Sequence, residues 1–172
     1  MPKYQIAPAK QEHYAICEEL IRKSFAPVAV QFGITPENAP TYPAFLPDGE
    51  LGKDAKDGKE MYILSQKDKI IGFIQIVVID NTVIDLAKLC VLPEYRRKGC
   101  GKQLLDFAKK RAADMGRRKL TLGMMDQDLK LKNWYIKNGF TQTGVRIYAT
   151  LPFAVGFLEC PVSVSPVFSL FP

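Results

Sequence analysis

The stretch Val83–Gly116, VIDLAKLCVLPEYRRKGCGKQLLDFAKKRAADMG, constrains this chain more than any other. Three periods follow one another in it. Val83 to Val91 is a dense apolar run, β-branched at its start, as suits a strand buried on both faces. Leu92 to Gly101 is a turn, with Pro93, Gly99 and Gly101 set among cations. Lys102 to Met115 has helical spacing: Leu104, Leu105, Ala108, Ala112 and Met115 share one side, Asp106, Lys109, Lys110 and Asp114 the other, and Gly116 suits the position after the helix. A strand ends, a basic loop comes next, and a helix begins.

The first N–H groups of a helix lack internal partners, and the helix dipole makes that end positive. Gly99 and Gly101 carry no Cβ, so an anion can approach the backbone there. Arg96, Arg97, Lys98 and Lys102 add positive charge around the same point. The segment is suited to a phosphate or pyrophosphate. Two nucleotide motifs fail. The dinucleotide fingerprint needs a third glycine where Leu104 stands. The P-loop needs glycine where Arg96 stands and Ser or Thr where Gln103 stands.

What remains is Arg96-x-x-Gly99-x-Gly101 after a Val91-Leu92-Pro93-Glu94-Tyr95 approach. With the strand before it and the helix after it, this resembles the GNAT superfamily of acyl-CoA-dependent N-acyltransferases. A second stretch, Trp134-Tyr135-Ile136-Lys137-Asn138-Gly139-Phe140, is similar to that family's Tyr followed by Gly-Phe. The family's frequent Asn seven residues before the Tyr is Asp128 here, and its frequent Ala four before is Leu131. The resemblance spans roughly Tyr4 to Glu159. It implies an α/β fold of the α+β type, with a mixed, mostly antiparallel sheet of six to seven strands and helices on both faces.

Length and composition agree with one such domain. The chain has 172 residues, 47% apolar and 24% charged, with no uncharged run long enough to span a bilayer. The domain is expected over residues 1–160, with an uncharged, Pro-containing apolar tail over 161–172. Such a tail is expected to cover a sheet edge or to pack on a second subunit of a homodimer. Met1–Gln5 lacks an apolar signal core, so a cytoplasmic location is expected. Cys17, Cys90, Cys100 and Cys160 form no C-x-x-C, and His13 is the only histidine, so no metal site is expected and a His-based triad is all but excluded. Cys100 reads as a small residue between two glycines, with a cation-activated thiol as the alternative. The net charge is +6, yet Lys88 to Lys119 holds eleven Lys or Arg against three acids, leaving the rest at −2. A compact positive region points to a polyanionic ligand. Nucleic acid is the rival, but no aromatic platform accompanies these charges.

In chain order, Lys3 to Ala7 is a first strand and Gln11 to Phe25 an amphipathic helix. Ala26 to Gly58 is rich in Pro and Gly; it reads as loop, with one short helix starting at Thr35-Pro36. Met61–Ser65 and Ile70–Ile79 form a hairpin, with a bulge or close approach at Gly72, and Asp80-Asn81 turns into the Val83–Val91 strand. Lys119–Met124 is the next strand, and Gly123 leaves room near the ligand. Lys130–Lys137 is a helix capped by Asp126 or Asp128. Thr141–Tyr148 and Val155–Pro161 are the last strands.

The resemblance also implies roles. Acetyl-CoA is the acyl donor and a primary amine the acceptor. The pyrophosphate lies on Arg96, Arg97, Lys98, Gly99, Cys100, Gly101 and Lys102. Pantetheine pairs with Leu89, Cys90 and Val91, with Asp128 and Tyr135 also at the cofactor. Tyr135 is the proton donor to the leaving sulfur. Tyr42, Phe45 and Glu50 border the acceptor. Asp85 is the first candidate for the base, with Glu50, Glu60 and a water chain as alternatives. A non-catalytic acyl-CoA-binding module is a second function class; it would lack the acid, and Tyr135 is present.

Overall fold

The computed structural model describes residues 3–164. Its elements are β1 (Tyr4–Pro8), α1 (Tyr14–Gln31), α2 (Glu50–Lys56), β2 (Glu60–Gln66), β3 (Lys69–Val78), β4 (Val83–Val91), α3 (Cys100–Asp114), β5 (Lys119–Met125), α4 (Leu129–Lys137), β6 (Thr141–Ile147) and β7 (Ala154–Pro161). They build one seven-stranded sheet in the order β1-β2-β3-β4-β5-β7-β6. Only β4 and β5 pair in parallel.

The alternation of each strand sends its side chains to two cores. Leu64, Ile74, Ile76, Ile84 and Leu86 face α3, where Leu104, Leu105, Ala108 and Ala112 are fully buried, and Tyr135 of α4 joins the same cluster. Ile63 and Phe73, one residue out of phase, face Cys17, Leu20 and Ile21 of α1 and Leu51 of α2. α3 ends as its sequence predicts: Gly116 takes φ +69°, and the Gly116 and Arg117 amides close on the Ala113 and Ala112 carbonyls. Between α3 and the sheet, Arg111 grips Glu60 through two bonds of 2.9 and 2.7 Å, and Tyr62 donates to the same carboxylate at 2.7 Å.

The segment from Ala26 to Gly58 differs from expectation. α1 does not stop at Phe25; it runs through Pro27 to Gln31. Proline removes one intrahelical bond and crowds the preceding turn, but Leu20, Ile21, Ser24 and Ala29 are buried on either side of it, and that packing carries the helix onward. Thr35-Pro36 starts no helix. The chain makes one turn there, closed by reciprocal bonds of Thr35 and Asn38 (2.8 and 3.3 Å). Conversely, Glu50–Lys56, expected as loop, is helical. Its start is capped from a distance: Glu18 of α1 accepts from the Gly49 and Leu51 amides at 3.1 and 2.9 Å. That cap spans more than thirty residues of chain, which no local pattern displays. After β7 the Val162 amide bonds to the Arg118 carbonyl at 2.8 Å, and most of the apolar tail, 165–172, lies outside the described residues.

Gly72 combines the bulge and the close approach that its sequence implies. The β2–β3 register slips beside it, and a Cβ there would stand 3.0 Å from Leu104 Cδ1, 3.2 Å from the Cys90 carbonyl oxygen and 3.3 Å from Leu64 Cβ. Gly72→Ala therefore overpacks the joint between β3, β4 and α3. It should cost about 1–3 kcal/mol of stability in urea unfolding; an unchanged midpoint would mean that this joint has slack.

Candidate active site

β4 and β5 pair only at Val83↔Lys119, Ile84↔Leu120 and Asp85↔Thr121. Beyond that point they part. β4 stays paired with β3 as far as Val91↔Gly72, while β5 accompanies β7 as far as Met125↔Val155. Each arm is thus held by its other neighbour, and a gap opens between Leu86–Val91 and Leu122–Met125. The β4 edge facing that gap has backbone donors and acceptors with no strand to meet them. Backbone groups need partners, and the pattern left open here is one that an extended, amide-bearing chain would match.

The gap leads to the basic loop. Pro93–Tyr95 forms one 3-10 turn, Arg97 takes φ +59°, and Gly99 takes φ +80° as the N-cap of α3. No side chain caps this helix, so its first N–H groups stay open. Gly99 is required by its backbone angle and has open space around it. A Cβ on Gly101 would lie 3.4 Å from the Trp134 ring, an ordinary packing distance, so Trp134 of α4 covers the start of α3 there.

The charged residues of the loop divide into two groups. Arg97 and Lys98 are exposed, as is Gly99 between them and the helix. Lys98 donates to the Glu94 carbonyl at 3.0 Å and sits over the Tyr95 ring, and Lys102 pairs with Asp106 at 2.5 Å. Arg96 turns inward. Its Nε donates to the Val91 carbonyl at 3.1 Å and its Nη2 to the Ser24 carbonyl, in the turn that Pro27 crowds. These two bonds tether Arg96 to the end of β4 and to α1. Cys100 is 1% exposed and packs in the α3 core, which agrees with the packing reading and not with an accessible thiol.

Tyr135 lies under the gap. It is buried among Leu86 and Val91 of one arm and Leu122 and Met124 of the other. Trp134 and Phe140 hold its ring edge-on at 5.0 and 5.4 Å. Burial, with the Cys90 thiol nearby, pushes its phenol well above the ordinary value, so it stays protonated. Cys90 itself is raised to about 12 by burial, which makes it a neutral wall and not a nucleophile. Asp85 stands at the fork, on the last paired rung. Thr121 Oγ1 donates to its Oδ1 at 2.7 Å. Burial raises its carboxyl above the ordinary range, and the Thr121 bond opposes that only in part.

The remaining candidates separate. Asp128 caps α4, accepting from the Leu131 amide at 3.1 Å. Tyr42 packs against Phe25, Phe45 and Phe153 with ring centroids 5.8–6.4 Å apart, over a cluster containing Met125. It thereby joins the α1–α2 segment to the β6–β7 connection at the outer end of β5. Burial, then the Asp128 charge, raises its phenol to about 12. Glu50 pairs with Lys53 in the first turn of α2. Glu60 is no base. It sits on the α3 side, fully engaged by Arg111 and Tyr62, and the Arg111 bond holds its carboxyl below the ordinary range. Sequence reasoning missed Asp54, Gln75 and Lys88, which meet beside the gap. Only the Leu51–Ala55 spacing within ELGKDAK hinted at the helix that places Asp54.

The sequence profile of the acetyltransferase (GNAT) domain matches residues 57–142, half of the chain, from just before β2 to the start of β6. The chain belongs to the GNAT acetyltransferase family. An uncharacterised N-acetyltransferase of Mycobacterium tuberculosis is 25% identical over 124 residues, covering 71% of this chain and 80% of that protein. The fold is shared with the ribosomal-protein-S18-alanine N-acetyltransferase from Escherichia coli, at TM-score 0.75 and 16% identity over 98% of this chain and 100% of that one. It is shared also with a GNAT family acetyltransferase from Elizabethkingia anophelis with acetyl-CoA bound, at TM-score 0.69 and 17% identity over 92% and 98%.

The fork carboxylate gives this GNAT protein a signed pH dependence. A buried carboxyl with a raised pKa favours folding when protonated, below the unfolded value of 3.8, and that contribution is lost as pH rises through the folded value. At pH 7 its charge is a burden on the fold. Asp85→Asn, which can keep the Thr121 bond, should therefore raise Tm at pH 7, with the gap closing as pH falls toward 4; a lower Tm at pH 7 would show that the carboxylate is stabilised there.

Proposed function

We propose that this protein is an acetyl-CoA-dependent N-acetyltransferase in which a primary amine attacks directly within a ternary complex. The observation that carries the reading is the fork between β4 and β5, opening onto an uncapped, glycine-started helix. Pantetheine has two amides and an extended shape, which fit the β4 edge at Leu89–Val91, where no β5 residue pairs. A pyrophosphate fits the open N–H groups from Gly99 to Lys102, with Arg97, Lys98 and Lys102 adding charge around it.

Acetyl-CoA supplies an activated thioester, so the protein has to position the reactants, polarise a carbonyl and move protons. Positioning two reactants in line is the largest of these contributions. A backbone N–H near Val91, on the gap edge, polarises the carbonyl and supports the charge that develops on its oxygen. Tyr135 holds the proton that the departing sulfur receives. Its raised pKa makes it a weak acid, but burial that raises a phenol also raises a thiolate in the same place, so the transfer stays matched. Asp85 accepts the proton of the amine. Thr121 fixes one of its oxygens, leaving the other for the acceptor, and its raised carboxyl is a better base than a surface aspartate. Tyr42 and Phe45, with Phe153, form an aromatic border where the acceptor approaches.

Calorimetric titration with acetyl-CoA, with ATP and NAD as controls, followed by an amine acceptor screen, tests this function. Binding of acetyl-CoA alone, and turnover with an amine, are expected. Tyr135→Phe should lower kcat by about 10²–10⁴-fold with little change in acetyl-CoA affinity. In the wild type, kcat/KM should fall on the acid side as Asp85 protonates, and Asp85→Asn should abolish that limb. A folded protein indifferent to acetyl-CoA would contradict the proposal, and an unchanged acid limb in Asp85→Asn would remove Asp85 as the base.

A further inference from the structure

One buried polar cluster is not used by this chemistry. Its centre is Asp54 of α2, only 2% exposed. Asp54 Oδ1 accepts from Lys59 Nζ at 2.6 Å, while Oδ2 accepts from Gln75 Nε2 at 2.8 Å and Lys88 Nζ at 3.0 Å. Lys88 Nζ also donates to Gln75 Oε1 at 2.9 Å. Asp54, Gln75 and Lys88 thus close a ring that joins α2, β3 and β4. Burial works to raise the Asp54 carboxyl, but the bonds from Lys59, Gln75 and Lys88 outweigh it and hold the group ionised.

Lys88 is also where β4 leaves the extended conformation. Its φ is +52°. Lys67 and Arg97, the other non-glycine residues with positive φ among those described, lie in turns; Lys88 alone lies within a strand. The β3–β4 register passes from Gln75↔Ala87 to Phe73↔Cys90, so Ile74 alone faces both Lys88 and Leu89. This is a bulge, and a bulge re-aims the backbone on its far side. The backbone aimed by this one is Leu89–Val91, the edge that faces the gap. A side-chain-bearing residue persists at positive φ only where its surroundings hold it. Glycine would reach that angle without strain, but glycine has nothing to anchor. A buried ion pair adds little net stability over apolar packing, so what this ring contributes is geometry.

We propose that Lys88 is a positioning residue: its ammonium, clamped by Asp54 and Gln75, fixes the bulge that aims the Leu89–Val91 edge at the acyl donor. The proposal rests on the acetyl-CoA reading of the site. It makes α2 part of the donor site through β3 and β4, although α2 lies on the opposite face of the sheet from α3.

The test compares wild type with Lys88→Met, Lys88→Gly, Asp54→Asn and Lys59→Met by acetyl-CoA calorimetry, steady-state kinetics and thermal unfolding. Lys88→Met and Asp54→Asn should weaken acetyl-CoA binding and raise its KM about tenfold or more, as small misplacements of a binding edge do. Lys88→Gly should recover part of that loss, because glycine reaches the bulge angle freely. Lys59→Met removes the shortest bond to Asp54 but not the link to the bulge; it should lower Tm yet leave acetyl-CoA affinity within about twofold, since it leaves the reactant geometry alone. Wild-type affinity in Lys88→Met and Asp54→Asn, whatever their Tm, would overturn the proposal. So would an equal loss of affinity in Lys59→Met, which would make the ring a matter of stability alone. A wild type that ignores acetyl-CoA would overturn the functional reading itself, and the proposal with it.

Discussion

Everything in this site depends on where one strand pair stops. β4 and β5 share three rungs and then separate, because β3 keeps one and β7 keeps the other. A parallel pair at the centre of an otherwise antiparallel sheet is the natural place for such a fork. The strands on either side supply enough pairing to hold both arms, so the gap costs the sheet little. It leaves an edge of backbone donors and acceptors with no strand to pair them, a liability unless something else meets it.

The rest of the fold steadies the two arms. Arg96 ties the end of β4 and the basic loop to the Ser24 carbonyl of α1. Gly72 lets β3, β4 and α3 meet closely at the same end. Trp134 packs α4 against the start of α3 at Gly101, and Tyr135 beside it joins the core that holds Leu86, Val91, Leu122 and Met124 of the two arms. On the far face, the Asp54 ring holds the bulge. Four elements distant in sequence thus converge on one short edge of β4.

Much of this is legible in the sequence. The Val83–Val91 strand, the turn and α3 are consecutive, and each announces itself by its own period, so their order can be read directly. The β2–β3 hairpin, the Asp128 cap and the Gly116 terminus are likewise local. The features that escape have partners far along the chain. α2 is hidden because its cap is Glu18, on another helix. α1 passes Pro27 because buried neighbours outweigh the lost bond. Arg96 looks like one of several loop cations, and only the packed fold shows it bonded to two carbonyls. Glu60 is as plausible a base as any acid until Arg111, some fifty residues on, claims it.

The most direct test of this account is hydrogen–deuterium exchange at the amides of Leu89–Val91 and Gly99–Lys102, with and without acetyl-CoA. If the forked edge and the uncapped helix start together hold the donor, both segments should become protected on binding, while β6, an exposed edge strand remote from the fork, should not change. Binding that protects neither segment, or protects the β6 edge instead, would contradict the account.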